Sequence, residues 1–220
     1  MRQELDNFII ESDTNIPYFN EIVNHIINNE RRLLEFFNLK GFSNKVTISL
    51  MSYEPFKSFI LNKYGDIAAW TRGDSDYSTN TIRVLNIEDQ LKYTSHKDAD
   101  LVQLKDTILH EIVHSCQNEH YRYSEESETT WFAEGLATNL SNQGFSIVSL
   151  EDCNFNELKN RFHYYSGGYA YAYTIVNYVL NNYPKEEVDK LYSDPSYLRA
   201  NADRLFIEAK KFSYNHNIKR

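Results

Sequence analysis

Hydrophobic side chains recur every three to four residues along several stretches of the chain, which is the spacing of one face of an α-helix. In the first stretch, the apolar residues from Phe19 to Phe37 follow this spacing, and Gly41 ends the run. The stretch from 99 to about 119 carries two apolar stripes, so we expect this helix to be buried on two sides. Helices are therefore predicted over 18–38, 55–64, 99–119, 130–142 and most of the chain after about 155.

Stretches rich in β-branched residues, with apolar and polar positions alternating, lie between the first helix and the helix over 99–119. This pattern is typical of half-buried β-strands. Strands are predicted over KVTISLMSY (45–53), IAAWT (67–71) and TIRVLNI (81–87). The segment RGDSDYSTN before the last strand is polar, and we expect it to form a turn. Its Arg-Gly-Asp tripeptide is not taken as a binding motif, because turns commonly contain these residues and short motifs match by chance.

The charge and composition exclude several classes of protein. The chain of 220 residues carries 23 basic and 31 acidic side chains, a formal net charge of −8, so we expect no sequence-independent binding to nucleic acid. No stretch of 18 apolar residues occurs, which argues against a membrane span. Two cysteines, Cys116 and Cys153, are too few for a disulfide scaffold and favour a reducing compartment.

The amino-terminal segment MRQELDNFII has no long apolar run and no small-residue cleavage site. We therefore expect no signal peptide and a cytoplasmic protein, whereas a leader preceding this sequence would imply secretion.

The pentapeptide HEIVH lies within the helix predicted over 99–119 and carries two candidate metal ligands. Residues four apart on a helix are separated by about 40° around its axis, so His110 and His114 project from one face. Two imidazole nitrogens at this spacing can bind one metal ion, and Glu111 can contact a water molecule at the same site. A chance HExxH match without a metal is the alternative for this motif taken alone.

A catalytic zinc site takes three protein ligands and leaves one position open, so a third ligand is needed. Glu134 lies 20 residues after His114 in WFAEG, on the helix predicted over 130–142, among apolar neighbours. A carboxylate in such surroundings is costly to bury unless it is paired or binds a metal. Glu125, Glu126 and Glu128 are alternative third ligands, but they lie in a charged segment, for which solvent exposure is the simpler interpretation. His120, six residues after His114, is a further alternative.

HEIVH followed by WFAEGLA resembles the gluzincin metallopeptidases, in which a glutamate on a second helix is the third zinc ligand. The W-x-x-E-G-x-A form is especially similar to the peptidase MA branch. The resemblance is specific from about 106 to 140 and extends weakly to YAYAYTIVNYVL at 169–180. It implies one Zn²⁺ ion held by His110, His114 and Glu134, with Glu111 as the catalytic base.

The resemblance also implies a tyrosine that donates a hydrogen bond to the oxyanion formed during the reaction. Tyr169, at the start of the tyrosine-bearing helix, is the best candidate, and Tyr165, Tyr171 and Tyr173 are its rivals. Two features depart from related enzymes. Thr138 stands where thermolysin-like enzymes carry an aspartate that supports a histidine, and the G-x-M-E-N motif of the large zinc aminopeptidases is absent.

The fold implied is a zincin-like α+β domain, in which a small mixed or antiparallel sheet packs on the HExxH helix and a mainly helical lobe follows. We expect one catalytic domain with an α/β lobe over 1–119 and a helical lobe over 120–220. In the resembling fold, the last strand before the HExxH helix forms the edge that pairs with an extended substrate. TIRVLN is therefore predicted to be that edge strand.

These expectations combine into a zinc-dependent metallopeptidase that acts on peptide or protein substrates, with internal cleavage favoured. A zinc aminopeptidase and a non-catalytic zincin-like binding module are the alternatives. The binding module is disfavoured, because a purely structural metal site has no need of Glu111 beside the metal.

Overall fold

The computed structural model describes residues 1–64, 73–76, 78–120 and 128–218. They form an α+β structure with a mixed five-stranded sheet, which confirms the predicted class. The chain divides into two compact units, Met1–Cys116 and Gln117–Arg220, and the boundary falls inside one helix, Leu101–His120. No helix in the described part of the chain is both long enough and apolar enough to cross a membrane.

The first unit contains the five strands that the described residues form. In chain order its elements are β1 (Arg2–Glu4), β2 (Phe8–Ser12), α1 (Phe19–Phe36), β3 (Val46–Met51), α2 (Tyr53–Tyr64), β4 (Gly73–Asp76), β5 (Thr81–Leu85), α3 (Ile87–Tyr93) and the larger part of α4 (Leu101–His120).

The sheet has the order β1-β2-β3-β5-β4, with parallel pairing of β3 to both β2 and β5 and antiparallel pairing at the two ends. Ile48 on β3 lies opposite Ile10 on β2 and Ile82 on β5. All three side chains are fully buried. This row follows from the two-residue alternation that predicted β3 and β5, because every second side chain of a strand points to the same face.

The prediction that TIRVLN is the edge strand is wrong. β5 pairs on one side with β3 and on the other with β4, and Gly73 lies opposite Val84. The polar segment predicted as a turn supplies β4, which is the outermost strand on that side among the described residues. A four-residue polar strand lacks the apolar alternation by which strands are recognised, so its pairing with β5 is decided by long-range contacts.

The remaining helices and strands agree with the sequence predictions only in part. The helices predicted over 18–38, 99–119 and 130–142 are confirmed as α1, α4 and α5 (Thr130–Leu140). The amino-terminal strands β1 and β2 and the short helix α3 were missed, although Phe8 and Ile10 alternate with exposed or half-buried neighbours. The strand predicted over 67–71 lies outside the described residues.

The second unit is helical and contains the end of α4, followed by α5, α6 (Phe155–Asn160), a 3₁₀ turn (Phe162–Tyr164), α7 (Gly168–Asn182), α8 (Lys185–Ser193) and α9 (Pro195–Ile218). α5 packs along α7, and α7 and α8 pack on α9. Trp131 of α5 is fully buried and makes edge contacts with Phe132 and Phe155 at ring-centroid distances of 5.5 and 5.3 Å. Buried aromatic groups of this size contribute strongly to the core that holds α5 in place.

Candidate metal centre

The helix α4 carries the two histidines of HEIVH one turn apart on one face. Each histidine is 7% exposed, and the Nε2 atoms of His110 and His114 lie 3.1 Å apart. The two rings are nearly perpendicular, at 80°, with centroids 4.7 Å apart. The sequence spacing alone therefore brings two imidazole nitrogens to one point, as the helical geometry requires.

The separation of these nitrogens fits two ligands of one zinc ion. Two nitrogens about 2.05 Å from a tetrahedral ion lie roughly 3.3 Å from each other. The observed 3.1 Å between His110 and His114 is close to that value. A zinc ion requires each imidazole to present an unprotonated nitrogen, and both histidines direct their Nε2 atoms towards the same place.

Glu134 lies on the first half of α5 and is partly exposed. Its carboxylate oxygen and one ring nitrogen each from His110 and His114 all lie within 4.8 Å of one another. This is the one group of three or more potential ligands from histidine, cysteine, aspartate and glutamate that the described residues form. Two histidines and a glutamate are a ligand set of catalytic zinc sites, and the partial exposure of Glu134 leaves access for water.

Gln117 connects α5 to the last turns of α4. Its side chain is fully buried, and its Nε2 atom donates a hydrogen bond of 3.0 Å to the carbonyl oxygen of Ala133. Ala133 directly precedes Glu134, and Gln117 lies three residues after His114 on the same helix. A buried amide–carbonyl bond of this kind is costly to break, so it holds the turn that carries Glu134 in one place.

Gly135 allows α7 to approach α5 directly behind Glu134. A Cβ atom at position 135 would lie 2.5 Å from Cγ2 of Val176 and 2.7 Å from the carbonyl oxygen of Ala172. Both distances are far below ordinary van der Waals separations, so no side chain fits there without displacing α7. The glycine of WFAEG therefore has a packing reason in this structure that its sequence position did not disclose.

Thr138, which stands in the place of the aspartate of thermolysin-like enzymes, is fully buried. Its hydroxyl lies 2.9 Å from the carbonyl oxygen of Glu134 and 3.0 Å from that of Gly135. The hydroxyl therefore donates back to its own helix, which is the usual arrangement for a threonine inside an α-helix. Thr138 supports the backbone that carries Glu134.

Glu111 projects from α4 beside the strand β4. It is partly exposed, and a Cβ atom built on Gly73 would lie 3.5 Å from the Cγ atom of Glu111 and 3.1 Å from Cγ2 of Thr107. Glu111 directly follows His110 on the helix and does not belong to the group of three potential ligands.

The rival ligands lie apart from this group. Glu128 and His120 are both exposed, and the ring of His120 packs near Tyr192, with centroids 5.2 Å apart. Neither belongs to the group formed by the two histidines of α4 and the glutamate of α5. Glu125 and Glu126 lie outside the described residues.

The candidate tyrosines occupy different surroundings. Tyr169 is 38% exposed, and its ring makes an edge contact with Phe162 at 4.9 Å between centroids. It lies one helical turn before Ala172, whose carbonyl oxygen meets Gly135. Of its rivals, Tyr165 accepts a hydrogen bond of 2.7 Å from the backbone N–H of Asn154, and Tyr173 packs against Phe145.

Asp106 lies one turn before His110 on α4. Burial and, secondarily, the charge of Asp100 raise the pKa of this carboxyl group to about 6. Both causes disfavour the carboxylate, because burial removes its hydration and Asp100 repels it. The helix that carries the histidines therefore also carries an acid whose pKa lies well above the usual value for aspartate.

The sequence matches no known protein-family model. It also shows no significant similarity to a curated protein.

Proposed function

We propose that this protein is a zinc-dependent peptidase of the gluzincin type. His110, His114 and Glu134 are the residues that would hold the ion, and Glu111 is the general base. The observation that carries the proposal is the convergence of three ligand atoms from two helices within 4.8 Å, with a fourth ionisable side chain next to the first histidine.

The ligand set determines the chemistry. When bound, zinc supplies Lewis acidity to a water molecule and to the carbonyl group of the substrate. Glu111 accepts a proton from that water and passes it to the nitrogen of the departing amine. Glu111 lies outside the group of three potential ligands, as a general base that acts on water does.

Tyr169 is the candidate donor to the oxyanion that forms when water adds to the carbonyl carbon. Its partial exposure and its place at the start of α7 suit a group that meets substrate. A donor aimed at developing negative charge stabilises the transition state more than the ground state, which raises the turnover number.

The test is a metal measurement followed by peptide digestion. Purified protein should contain about one zinc ion per chain and cleave peptides blocked at both ends, as expected for a single catalytic site. A chelator should abolish cleavage, and added zinc should restore it. Cleavage limited to peptides with a free amino terminus would instead indicate an aminopeptidase. Bound zinc without cleavage of any peptide would indicate a binding module, and absence of zinc binding would contradict the proposal.

A further inference from the structure

The strand β4, outermost among the described strands on its side of the sheet, contacts α4 at the position of the proposed general base. β4 is four residues long, GDSD, and pairs antiparallel with β5 so that Asp74 lies opposite Arg83. Successive residues of a strand point to opposite faces. Gly73 therefore faces the side on which Thr107 and Glu111 lie, because a Cβ atom built on it points at both side chains.

The space beside Gly73 is limited. The built Cβ atom would lie 3.1 Å from Cγ2 of Thr107, which is a tight contact, and 3.5 Å from Cγ of Glu111, which is an ordinary one. A methyl group thus fits only if Thr107 yields slightly. A branched side chain would place further atoms in the volume that Glu111 occupies. Atoms added against close neighbours move side chains off their preferred positions.

The backbone of Gly73 does not itself require glycine. Positive φ angles occur at two glycines among the described residues, Gly144 and Gly167, and Gly73 is not one of them. Other residues can therefore adopt the conformation of Gly73 without the penalty of the left-handed region. Any effect of a substitution at Gly73 on turnover or stability therefore comes from the volume of the new side chain and not from backbone strain.

Thr107 and Glu111 are four residues apart on α4, and His110 and His114 flank Glu111 along the same helix. Side chains at this spacing lie one above the other. A side chain added at position 73 therefore meets the face of α4 that carries Thr107 and Glu111.

From this contact we infer that Gly73 is a positioning residue for Glu111. It keeps the space beside the Glu111 side chain empty, so that the carboxylate can take the orientation needed for proton transfer. The inference rests on the proposed function for its catalytic consequence and on the contact with Thr107 and Glu111 for its structural basis.

The experiment compares Gly73→Val and Gly73→Ala with the wild-type chain. Gly73→Val should retain about one zinc ion per chain and lower the turnover number roughly 10- to 100-fold with little change in KM, as expected when a reacting group is displaced by about 1 Å. Gly73→Ala should show a smaller loss. Full turnover of Gly73→Val with zinc bound would overturn the inference, and so would loss of zinc in parallel with activity.

Thr107→Ser provides a matched rescue. It removes the methyl group nearest to position 73 and keeps the hydroxyl that donates to the Gln103 carbonyl at 2.9 Å. The double variant Gly73→Ala with Thr107→Ser should regain most of the turnover and melting temperature lost in Gly73→Ala. If Thr107→Ser recovers neither, the proposed contact is wrong.

A measurement that does not depend on catalysis separates this inference from the proposed function. In zinc-free protein, the side-chain carboxyl ¹³C signal of Glu111, assigned by its loss in Glu111→Gln, should move in Gly73→Val and stay in place in Glu128→Gln. If the wild-type chain cleaves no peptide but this signal moves, the proposed function fails and the positioning contact stands. An unmoved signal contradicts the inference whatever the activity.

Discussion

Replacing Gly135 by alanine tests how α5 is held behind the candidate metal centre. The added Cβ atom would lie 2.5 Å from Cγ2 of Val176 and 2.7 Å from the carbonyl oxygen of Ala172. The valine side chain can rotate, but the carbonyl belongs to the backbone of α7 and cannot move without the helix. We therefore expect α7 to shift away from α5 in this variant.

The change in the free energy of unfolding of Gly135→Ala follows from two opposing effects. Overpacking typically costs about 1–3 kcal/mol of folding stability. Because one of the contacts is with backbone, we expect a cost of about 3 kcal/mol at Gly135. Alanine inside a helix gains about 1 kcal/mol over glycine through its higher helix propensity. The net loss is about 2 kcal/mol, which corresponds to a fall in melting temperature of roughly 4–8 °C for a chain of this size.

Thermal melting of metal-free protein in the presence of a chelator measures this loss without a contribution from zinc binding. The control is Gly144→Ala, because a Cβ atom there meets nothing within 4 Å and only the strain of its positive φ, 62°, acts. The double variant Gly135→Ala with Val176→Ala should recover only part of the loss, because the contact with Ala172 remains. An unchanged or higher melting temperature in Gly135→Ala would refute the packing explanation.

Two further predictions concern single groups near the site. Tyr169→Phe should lower the turnover number by about 10²–10³-fold with zinc still bound, and full turnover would remove Tyr169 from the mechanism. The pKa of Asp106 is raised above its unfolded value, so its contribution to stability is present below about pH 4 and is lost as the pH rises towards about 6. Asp106→Asn should therefore raise the melting temperature relative to wild type more at pH 7 than at pH 4, and an equal change at both values would contradict the raised pKa.

The sequence was sufficient to predict the elements that carry the candidate site. The two apolar stripes around HEIVH predicted a long buried helix, and α4 has that position and extent. The apolar surroundings of Glu134 predicted a second helix, which is α5. Both predictions rest on local periodicity, and local periodicity is the strongest signal in a single sequence.

The features that the sequence did not disclose depend on contacts between distant residues. The polar strand β4 exists because its backbone pairs with β5, so no property of GDSD alone predicts it. The interior position of β5 has the same cause. In the sequence, nothing marks Gln117 as important; the structure shows its amide bonded to the carbonyl of Ala133. Likewise, the reason for a glycine at position 135 is the close approach of α7, which the sequence does not reveal. Such contacts are tertiary properties that override local propensity.

The central claim is that Glu134 holds the metal whereas Glu111 acts on water, and one paired measurement tests it most directly. Bound zinc and cleavage of a blocked peptide are measured for Glu111→Gln, Glu134→Gln and the exposed control Glu128→Gln. Glu111→Gln should keep about one zinc ion and lose cleavage, because glutamine cannot accept a proton at neutral pH. Glu134→Gln should lose zinc affinity and cleavage together, because a neutral amide replaces a charged ligand, and Glu128→Gln should change neither. Loss of zinc in Glu111→Gln with retention in Glu134→Gln would contradict the assignment of both glutamates.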